Sequence, residues 1–253
     1  MSVGTSDSAK RNALIFDIET IADLTPAAHA AIAALAQGRD MTAEHYGGLC
    51  PPLARVVCVA WFDLATRTLG ACFDATLYAG SPPQTLAVED GAGESLTMLQ
   101  CETRPCSGEA DLLRVFGQRV VQHLAQPSAQ LVTYNGRGFD LPVLVHRAIK
   151  HGVFEGREAL VKAARENRYN PVTHVDLMDV VTFNGAAPRW PMAAYAIGYG
   201  FKSPKHDMDG SDVWPAVQAG RILDVVRYCA GDVVATTHVY CRVHEAVGAP
   251  KLY

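Results

Sequence analysis

Short β-rich runs alternate with segments of helical periodicity along this chain of 253 residues, and that alternation narrows its possible folds more than any other feature. Residues 13–18 (ALIFDI) form an apolar run with an acid near its end, which indicates a buried strand opening onto a site. Residues 55–64 and 68–74 are β-rich and separated by three residues, which predicts a hairpin. Residues 131–134 (LVTY) predict another strand, followed by an Asn-Gly turn. We therefore expect an α/β fold with a mixed sheet.

Helical segments and loops account for most of the remaining chain. We expect helices over residues 27–37, 109–124, 141–151 and 191–200, and a long last helix that starts at Val213 or Arg221 and ends at Glu245. Residues 79–93 and 202–212 are rich in turn-forming residues and predict loops. We find no internal repeat and no linker, so we expect a polar tail over residues 1–10 and a single domain over residues 11–253.

Composition excludes several classes of protein. With 49% apolar and 19% charged residues the chain is neither disordered nor fibrous. The longest stretch without a charged residue, 120–136, contains Gln, His and Asn, so we expect no membrane span. The polar N-terminus lacks the apolar segment of a signal peptide, which predicts a cytoplasmic protein. The seven cysteines include no C-x-x-C pair and are expected to be reduced and mostly buried.

The net charge of −4 argues mildly against a polyanionic ligand, which would need a local region of positive charge.

Asp17 and Glu19 stand two residues apart at the end of the first expected strand. Side chains two apart on a strand point to the same face, so both carboxylates should lie together. A hard divalent cation would relieve their repulsion. Taken alone the pair is weak evidence, since about two or three such acid pairs arise by chance in a chain of this composition.

A second motif, YNGRGFD, runs from Tyr134 to Asp140. It joins a strand to a helix whose first turn contains Pro142. The structural interpretation makes Asp140 a helix N-cap and Asn135 a turn residue. The functional interpretation makes Asp140 a third carboxylate of a site.

A third motif, YCAGD, lies on the last expected helix. Tyr228 and Asp232 are four residues apart and therefore share a helix face next to the apolar stripe. The alternative is an ordinary surface tyrosine and aspartate.

Together and in this order, the three motifs resemble the DEDD superfamily of 3′–5′ exonucleases, in its tyrosine-bearing (DEDDy) branch. The closer resemblance is to stand-alone exonucleases similar to the proofreading domain of family B DNA polymerases. The tracts LPVLVHRA, THVDLMDV and KHDMDGSDVW are also similar to this smaller family, so the resemblance covers most of residues 13–242. The histidine-bearing branch places its histidine where this chain has Arg227. The smaller family usually carries an acid just before the last aspartate, where this chain has Ala230 and Gly231.

The resemblance implies a ribonuclease H-like three-layer fold, with a mixed central sheet flanked by helices. It implies a metal-dependent exonuclease that removes nucleoside 5′-monophosphates from the free 3′ end of single-stranded nucleic acid, with DNA favoured over RNA. A polymerase or repair protein would be a partner in trans.

By the same resemblance, two Mg²⁺ or Mn²⁺ ions would be held by four carboxylates, with Asp17 bridging both ions and Tyr228 orienting the attacking water. The implied catalytic residues are Asp17, Glu19, Asp140, Tyr228 and Asp232. The candidate substrate contacts are Ile18, Thr20, Asn135, Arg137, Phe139 and Lys205, with Lys202 a further candidate for phosphate.

Two other functions stay open at this point. A catalytically idle nucleic-acid-binding module could keep the fold, although it would have no physical need for four mutually repelling acids. A two-metal phosphohydrolase of small nucleotides would use the same carboxylates. Asp176 and Asp179 are interpreted as a structural pair or a helix cap on an expected helix, with metal binding as the alternative.

Overall fold

The computed structural model describes residues 12–92, 97–202 and 208–247. Within these ranges seven strands form one sheet, in the spatial order β4-β5-β3-β2-β1-β6-β7. The strands are β1 (Asn12–Ala22), β2 (Ala54–Asp63), β3 (Thr68–Asp74), β4 (Thr85–Glu89), β5 (Met98–Cys106), β6 (Ala129–Thr133) and β7 (His174–Asp176). The sheet is mixed, because β1 pairs antiparallel with β2 and parallel with β6.

Nine α-helices lie in the described ranges. They are α1 (Pro26–Leu35), α2 (Ala43–Gly48), α3 (Glu109–Leu124), α4 (Asp140–Lys150), α5 (Arg157–Arg165), α6 (Leu177–Val181), α7 (Met192–Gly198), α8 (Val213–Gln218) and α9 (Ile222–Val247). None of these helices combines the length and the apolar character needed to cross a bilayer.

The alternation of side chains along β1 shows that helices cover both faces of the sheet. Ala13 and Ile15 belong to a core shared with α6, α7, α8 and α9. Leu14 and Phe16 point the other way, into a core shared with α3, α4 and α5. The expected ribonuclease H-like three-layer fold, with a mixed sheet flanked by helices, is therefore confirmed.

Most of the predicted elements are present. The hairpin of β2 and β3, the strand β6 and the helices α1, α3, α4 and α7 lie where the sequence placed them. Gly152 follows the end of α4 with a φ of 63°, as a residue after a C-cap requires. All seven cysteines are free thiols, and five of them are buried.

One expectation about secondary structure was wrong, because the loop expected over residues 79–93 contains β4, in which Leu86 and Val88 alternate into the core and pair with β5. Of the two expected starts of the last helix, the one at Arg221 agrees with α9, which begins at Ile222. The residues from Val213 form the separate helix α8, because Gly220 takes a φ of 71° between the two helices. The polar tail over residues 1–10 lies outside the described residues, and the single domain over residues 11–253 stays a prediction.

A buried ion network anchors α4 to the sheet. Arg147 is 1% exposed, and its guanidinium donates to Glu109 at 2.5 and 2.7 Å and to Asp23, just after β1, at 2.8 Å. Burial opposes ionisation of Asp23, but hydrogen bonds from Lys150, the Thr25 backbone and Arg147 hold its pKa well below the ordinary value. The network therefore joins α4 to the strand that carries Asp17 and Glu19.

Candidate active site

Asp17 and Glu19 lie on the face of β1 that α9 covers. They share the face of Ala13 and Ile15, as the two-residue period of a strand requires. The β1–β2 register shifts between Glu19 and Thr20, directly after the acid pair. Such irregularities bend a strand and redirect its side chains. Both carboxylates are half-buried and close together, as the sequence predicted.

Asp140 approaches the acid pair from α4, which packs on the other face of the sheet. It is the first residue of α4, and its carboxylate hydrogen-bonds with Asp17 and accepts from the Ile18 backbone N–H. That N–H is available because the pairing of β1 with β6 ends at Ile15 and Val132. The interpretation of Asp140 as a helix cap is wrong, since Phe139 occupies the N-cap position without a side-chain cap bond.

Asp232 and Tyr228 approach from α9, which packs across β1 and β2. They are one helical turn apart, and the Tyr228 hydroxyl hydrogen-bonds with the Asp232 carboxylate. The Cys229 thiol between them packs under the acid pair, with Sγ 3.4 Å from the Asp17 carbonyl oxygen. The three motifs therefore meet at one place, although they are far apart in the sequence.

The raised pKa values show that burial opposes ionisation of these carboxyl groups, and that neighbouring acids add to this for Asp17 and Glu19. Burial, followed by the charges of Asp140 and Asp232, raises the pKa of Asp17 well above its ordinary value. Burial and the charge of Asp17 do the same for the pKa of Glu19. Burial raises the pKa of Asp140 to about 7. Burial is the first cause of the raised pKa values of Asp17, Glu19 and Asp140, so ionisation of these three groups together is costly unless a cation compensates it.

The donor set fits hard divalent cations. Ligand atoms of Asp17, Glu19 and Cys229 lie within 4.8 Å of one another. Asp140 is 3% exposed, and its Oδ1 makes no hydrogen bond to any residue that the structure describes. Four carboxylates and one uncommitted buried oxygen suit Mg²⁺ or Mn²⁺ better than a soft metal, which would need ionised thiols. Burial instead raises the pKa of the Cys229 thiol well above its ordinary value.

The Tyr228 hydroxyl stays protonated in this setting. Burial and the charges of Asp232 and Glu19 raise its pKa above the ordinary value. Its proton points to Asp232 in their hydrogen bond, so a lone pair of the phenol oxygen can accept from a further donor.

A cavity of about 830 Å³ opens beside Glu19. Its lining includes Met41 before α2, His45 within α2 and Leu49 just after it, together with Trp214 of α8. Leu49 is 49% exposed and Met41 is 41% exposed, so apolar surface faces the opening. The cavity gives a molecule bound at the acids room for an apolar group next to them.

Three of the predicted substrate contacts lie at this cavity or at its edge. Thr20 lines the cavity, and its hydroxyl donates to the Gly48 carbonyl at 2.7 Å. Phe139 also lines it while packing against the core on the α4 side. The Ile18 side chain is buried in that core, which leaves its main chain as the part close to the acids.

The other predicted contacts have structural partners or lie outside the described residues. The Asn135 N–H donates to Asp176 at 2.8 Å. The Arg137 guanidinium donates to Asp179 and to the Glu166 carbonyl, and its contact with phosphate stays a prediction. Lys202 pairs with Glu89 at 3.5 Å. Lys205 lies outside the described residues.

Two parts of the site were missed from the sequence. The cavity was not predicted: its α2 side carries no motif, and the tract KHDMDGSDVW, which ends at Trp214, was given no role. Asp176 was interpreted as a structural cap, and it does cap α6 by accepting from the Met178 N–H at 3.0 Å. Its hydrogen bonds to Asn135 and Arg137 of the second motif depend on the pairing of β6 with β7, which the sequence does not predict.

Comparison with known proteins agrees with this arrangement. A family model described as a predicted 3′–5′ exonuclease related to the exonuclease domain of PolB matches residues 86–250, which are 165 of the 253 residues. The match contains the second and third motifs and begins after β1, so Asp17 and Glu19 lie outside it. No curated protein matches the chain.

Proposed function

Since this chain belongs to the family of predicted 3′–5′ exonucleases related to the exonuclease domain of PolB, we propose that it hydrolyses the terminal phosphodiester at the 3′ end of single-stranded nucleic acid. The products would be nucleoside 5′-monophosphates. The observation that carries the proposal is the convergence of Asp17, Glu19, Asp140 and Asp232 beside Tyr228, where burial and mutual repulsion raise carboxyl pKa values. Such a cluster is costly to keep unless it binds cations.

The four carboxylates would hold two divalent metal ions, Mg²⁺ or Mn²⁺. When bound, the ions would supply activation of water and stabilisation of the attacking and leaving oxygens at phosphorus. The protein's contribution is the fixed geometry of the carboxylates: β1 provides Asp17 and Glu19, α4 provides Asp140, and α9 provides Asp232.

Tyr228 would orient the attacking water. Its protonated hydroxyl donates to Asp232, so the phenol oxygen can accept a hydrogen bond from the water. That bond would turn a lone pair of the water oxygen towards phosphorus. A tyrosine held neutral cannot take the proton itself, so its role is one of orientation.

The cavity beside Glu19 would receive the end of the strand. Its apolar walls at Leu49 and Trp214 suit the face of a nucleobase. A base is free to enter only when it is unpaired, which favours single strands over duplex ends. We favour DNA over RNA because the family description refers to the exonuclease domain of a DNA polymerase. A cytoplasmic location and a polymerase or repair partner in trans stay predictions.

The proposal is tested with a panel of substrates supplied to the purified protein with Mn²⁺, with Mg²⁺ and with EDTA. The panel contains single-stranded DNA, single-stranded RNA, blunt duplex DNA and free nucleoside triphosphates. We expect metal-dependent mononucleotide release from single-stranded DNA, slower release from RNA and duplex, and no hydrolysis of the triphosphates. Binding of single strands without cleavage in either metal would identify an idle binding module instead, and preferred hydrolysis of the triphosphates would identify a small-nucleotide phosphohydrolase.

A further inference from the structure

Asp176, at the end of β7, uses both of its carboxylate oxygens to hold backbone N–H groups. Its Oδ1 accepts from Asn135 at 2.8 Å and from Met178 at 3.0 Å. Its Oδ2 accepts from Arg137 at 3.0 Å. The residue is 4% exposed, so these bonds are largely protected from competition with water. Both oxygens are engaged with donors, which makes Asp176 a poor metal ligand.

The held backbone belongs to the segment that connects β6 to Asp140. This segment must turn sharply, and Asn135 adopts a φ of 65°, a conformation that is uncommon for a residue with a side chain. β7 pairs with β6 up to Thr133 and Asp176, so the Asp176 carboxylate lies directly beside the start of the turn. The bonds to Asn135 and Arg137 fix the turn two and four residues after Thr133, the last residue of β6 that pairs with β7.

The Arg137 side chain completes the same connection. Its guanidinium donates to Asp179 at 3.3 Å and to the Glu166 carbonyl at 2.6 Å. Asp179 also pairs with Arg168 at 3.2 Å. The turn is therefore held through its backbone by Asp176 and through a side chain by α6 and the end of α5.

Asp140 depends on this connection for its place. It follows the turn directly, and its carboxylate must reach Asp17 on β1 with an oxygen left uncommitted. A shift of the turn would move the start of α4 and carry the Asp140 carboxylate away from the acid pair. We propose that Asp176 is a positioning residue that holds Asp140 in reach of the metal site, an inference that rests on the proposed function.

The variant Asp176→Asn tests the proposal with little change in shape. An asparagine keeps one oxygen that can accept from Asn135 and Met178, but its amide group turns a donor towards the Arg137 N–H. The helix cap survives while one bond to the turn is lost. The control is Asp74→Asn, because Asp74 is also a buried aspartate at a strand end that caps a helical turn and pairs with an arginine, and its contacts include none of the four acids.

The first readout is Mn²⁺ affinity, measured by calorimetry or electron paramagnetic resonance without substrate. We expect Asp176→Asn to weaken Mn²⁺ binding by about 10- to 100-fold, as loss of a residue that orients a ligand does. Asp74→Asn should lower the melting temperature in EDTA and leave Mn²⁺ affinity as in the unsubstituted protein. Equal Mn²⁺ affinity of Asp176→Asn and the unsubstituted protein would overturn the positioning role.

The second readout separates this proposal from the proposed function. If the protein cleaves nucleic acid, Asp176→Asn should need more Mn²⁺ for half-maximal rate, recover much of its kcat at high Mn²⁺, and keep its KM for the oligonucleotide. If no protein cleaves but Asp176→Asn still binds Mn²⁺ more weakly, the positioning role stands and the exonuclease proposal fails. If the unsubstituted protein binds no Mn²⁺, both are refuted.

Discussion

Replacing Asp140 with asparagine should stabilise the protein in EDTA at pH 8, although the same change removes a proposed metal ligand. A carboxyl pKa raised from 3.8 to about 7 in the folded state destabilises the fold at pH 8 by about 4 kcal/mol, at 1.36 kcal/mol per pH unit. Asparagine removes the charge. It gives up hydrogen bonds with Asp17 and the Ile18 N–H, worth about 1 kcal/mol each. We therefore expect a net gain of about 2 kcal/mol.

The sign of the effect depends on pH. An acid whose folded pKa is raised keeps its full stability below its unfolded pKa, and that stability is lost as pH rises towards the folded pKa. Between the ordinary carboxyl pKa of 3.8 and about 7, the ionisation of Asp140 should therefore make the unsubstituted protein less stable as the pH rises. Near pH 5 the raised pKa of Asp140 destabilises the fold by only about 1 to 2 kcal/mol. The two hydrogen bonds that asparagine gives up offset that amount, so the variant and the unsubstituted protein should be about equally stable.

Urea unfolding in EDTA at pH 5 and pH 8 measures both predictions. The control is Asp224→Asn, which removes an acid of α9 that is 42% exposed and pairs only with neighbouring arginines. Its stability should change by less than about 0.5 kcal/mol at either pH. If Asp140→Asn were no more stable at pH 8 than at pH 5, relative to the unsubstituted protein, burial would not be opposing the charge of Asp140 and the reasoning would be refuted.

Three further substitutions test other parts of the molecule. Tyr228→Phe should lower the single-turnover cleavage rate by about 10- to 100-fold with unchanged Mn²⁺ affinity, because only the orientation of water is lost. Tyr195→Phe is the control, and an unchanged rate of Tyr228→Phe would refute the orienting role. Trp214→Ala should raise the KM by about 10-fold for oligonucleotides with a 3′-terminal base but not for those with an abasic 3′ end. The control is Trp190→Ala, because Trp190 is 59% exposed and outside the cavity, and it should leave both KM values unchanged. Arg147→Ala should lower the free energy of unfolding by about 3 to 5 kcal/mol, because it removes the buried cation that pairs with both Asp23 and Glu109. A loss as small as that of the surface variant Arg114→Ala would contradict this.

Local periodicity explains why much of the site could be predicted. Asp17 and Glu19 share a face because strands repeat every two residues, and Tyr228 and Asp232 share a face because helices repeat every 3.6 residues. Neither rule depends on the rest of the fold. The prediction that β1 and α9 lie against each other came from the resemblance to a family and from the alternation of strands and helices. Neither periodicity by itself places one element against the other.

The elements that were missed depend on distant parts of the chain. β4 lies in a segment rich in Gly, Ser and Pro, and its two core residues, Leu86 and Val88, gain a partner only when β5 pairs with it. β5 contains Pro105 and several polar residues, so it shows no clean alternation, yet it is flanked by β3 and β4. Pairing between strands thus outweighed local propensity.

The cavity and the Asp176 bonds could not be predicted for the same reason. Leu49 and Trp214 are more than 150 residues apart and become neighbours of one space only in the folded chain. Asp176 bonds to Asn135 across 41 residues, through the pairing of β6 and β7. Arg137 was predicted to contact phosphate from its place in the second motif. Its hydrogen bonds to Asp179 on α6 and to the Glu166 carbonyl after α5 could not be predicted in the same way.

The central claim, that these carboxylates form a metal-dependent exonuclease site, is tested most directly by Asp17→Asn on a single-stranded DNA labelled at its 5′ end. We expect the unsubstituted protein to shorten the labelled strand one nucleotide at a time from the 3′ end with Mn²⁺ or Mg²⁺ and to leave it intact in EDTA. Asp17→Asn should remain folded, because it removes a charge that burial and Asp140 oppose, and should leave the strand intact with either metal. Equal shortening by Asp17→Asn, or shortening by the unsubstituted protein in EDTA, would contradict the account.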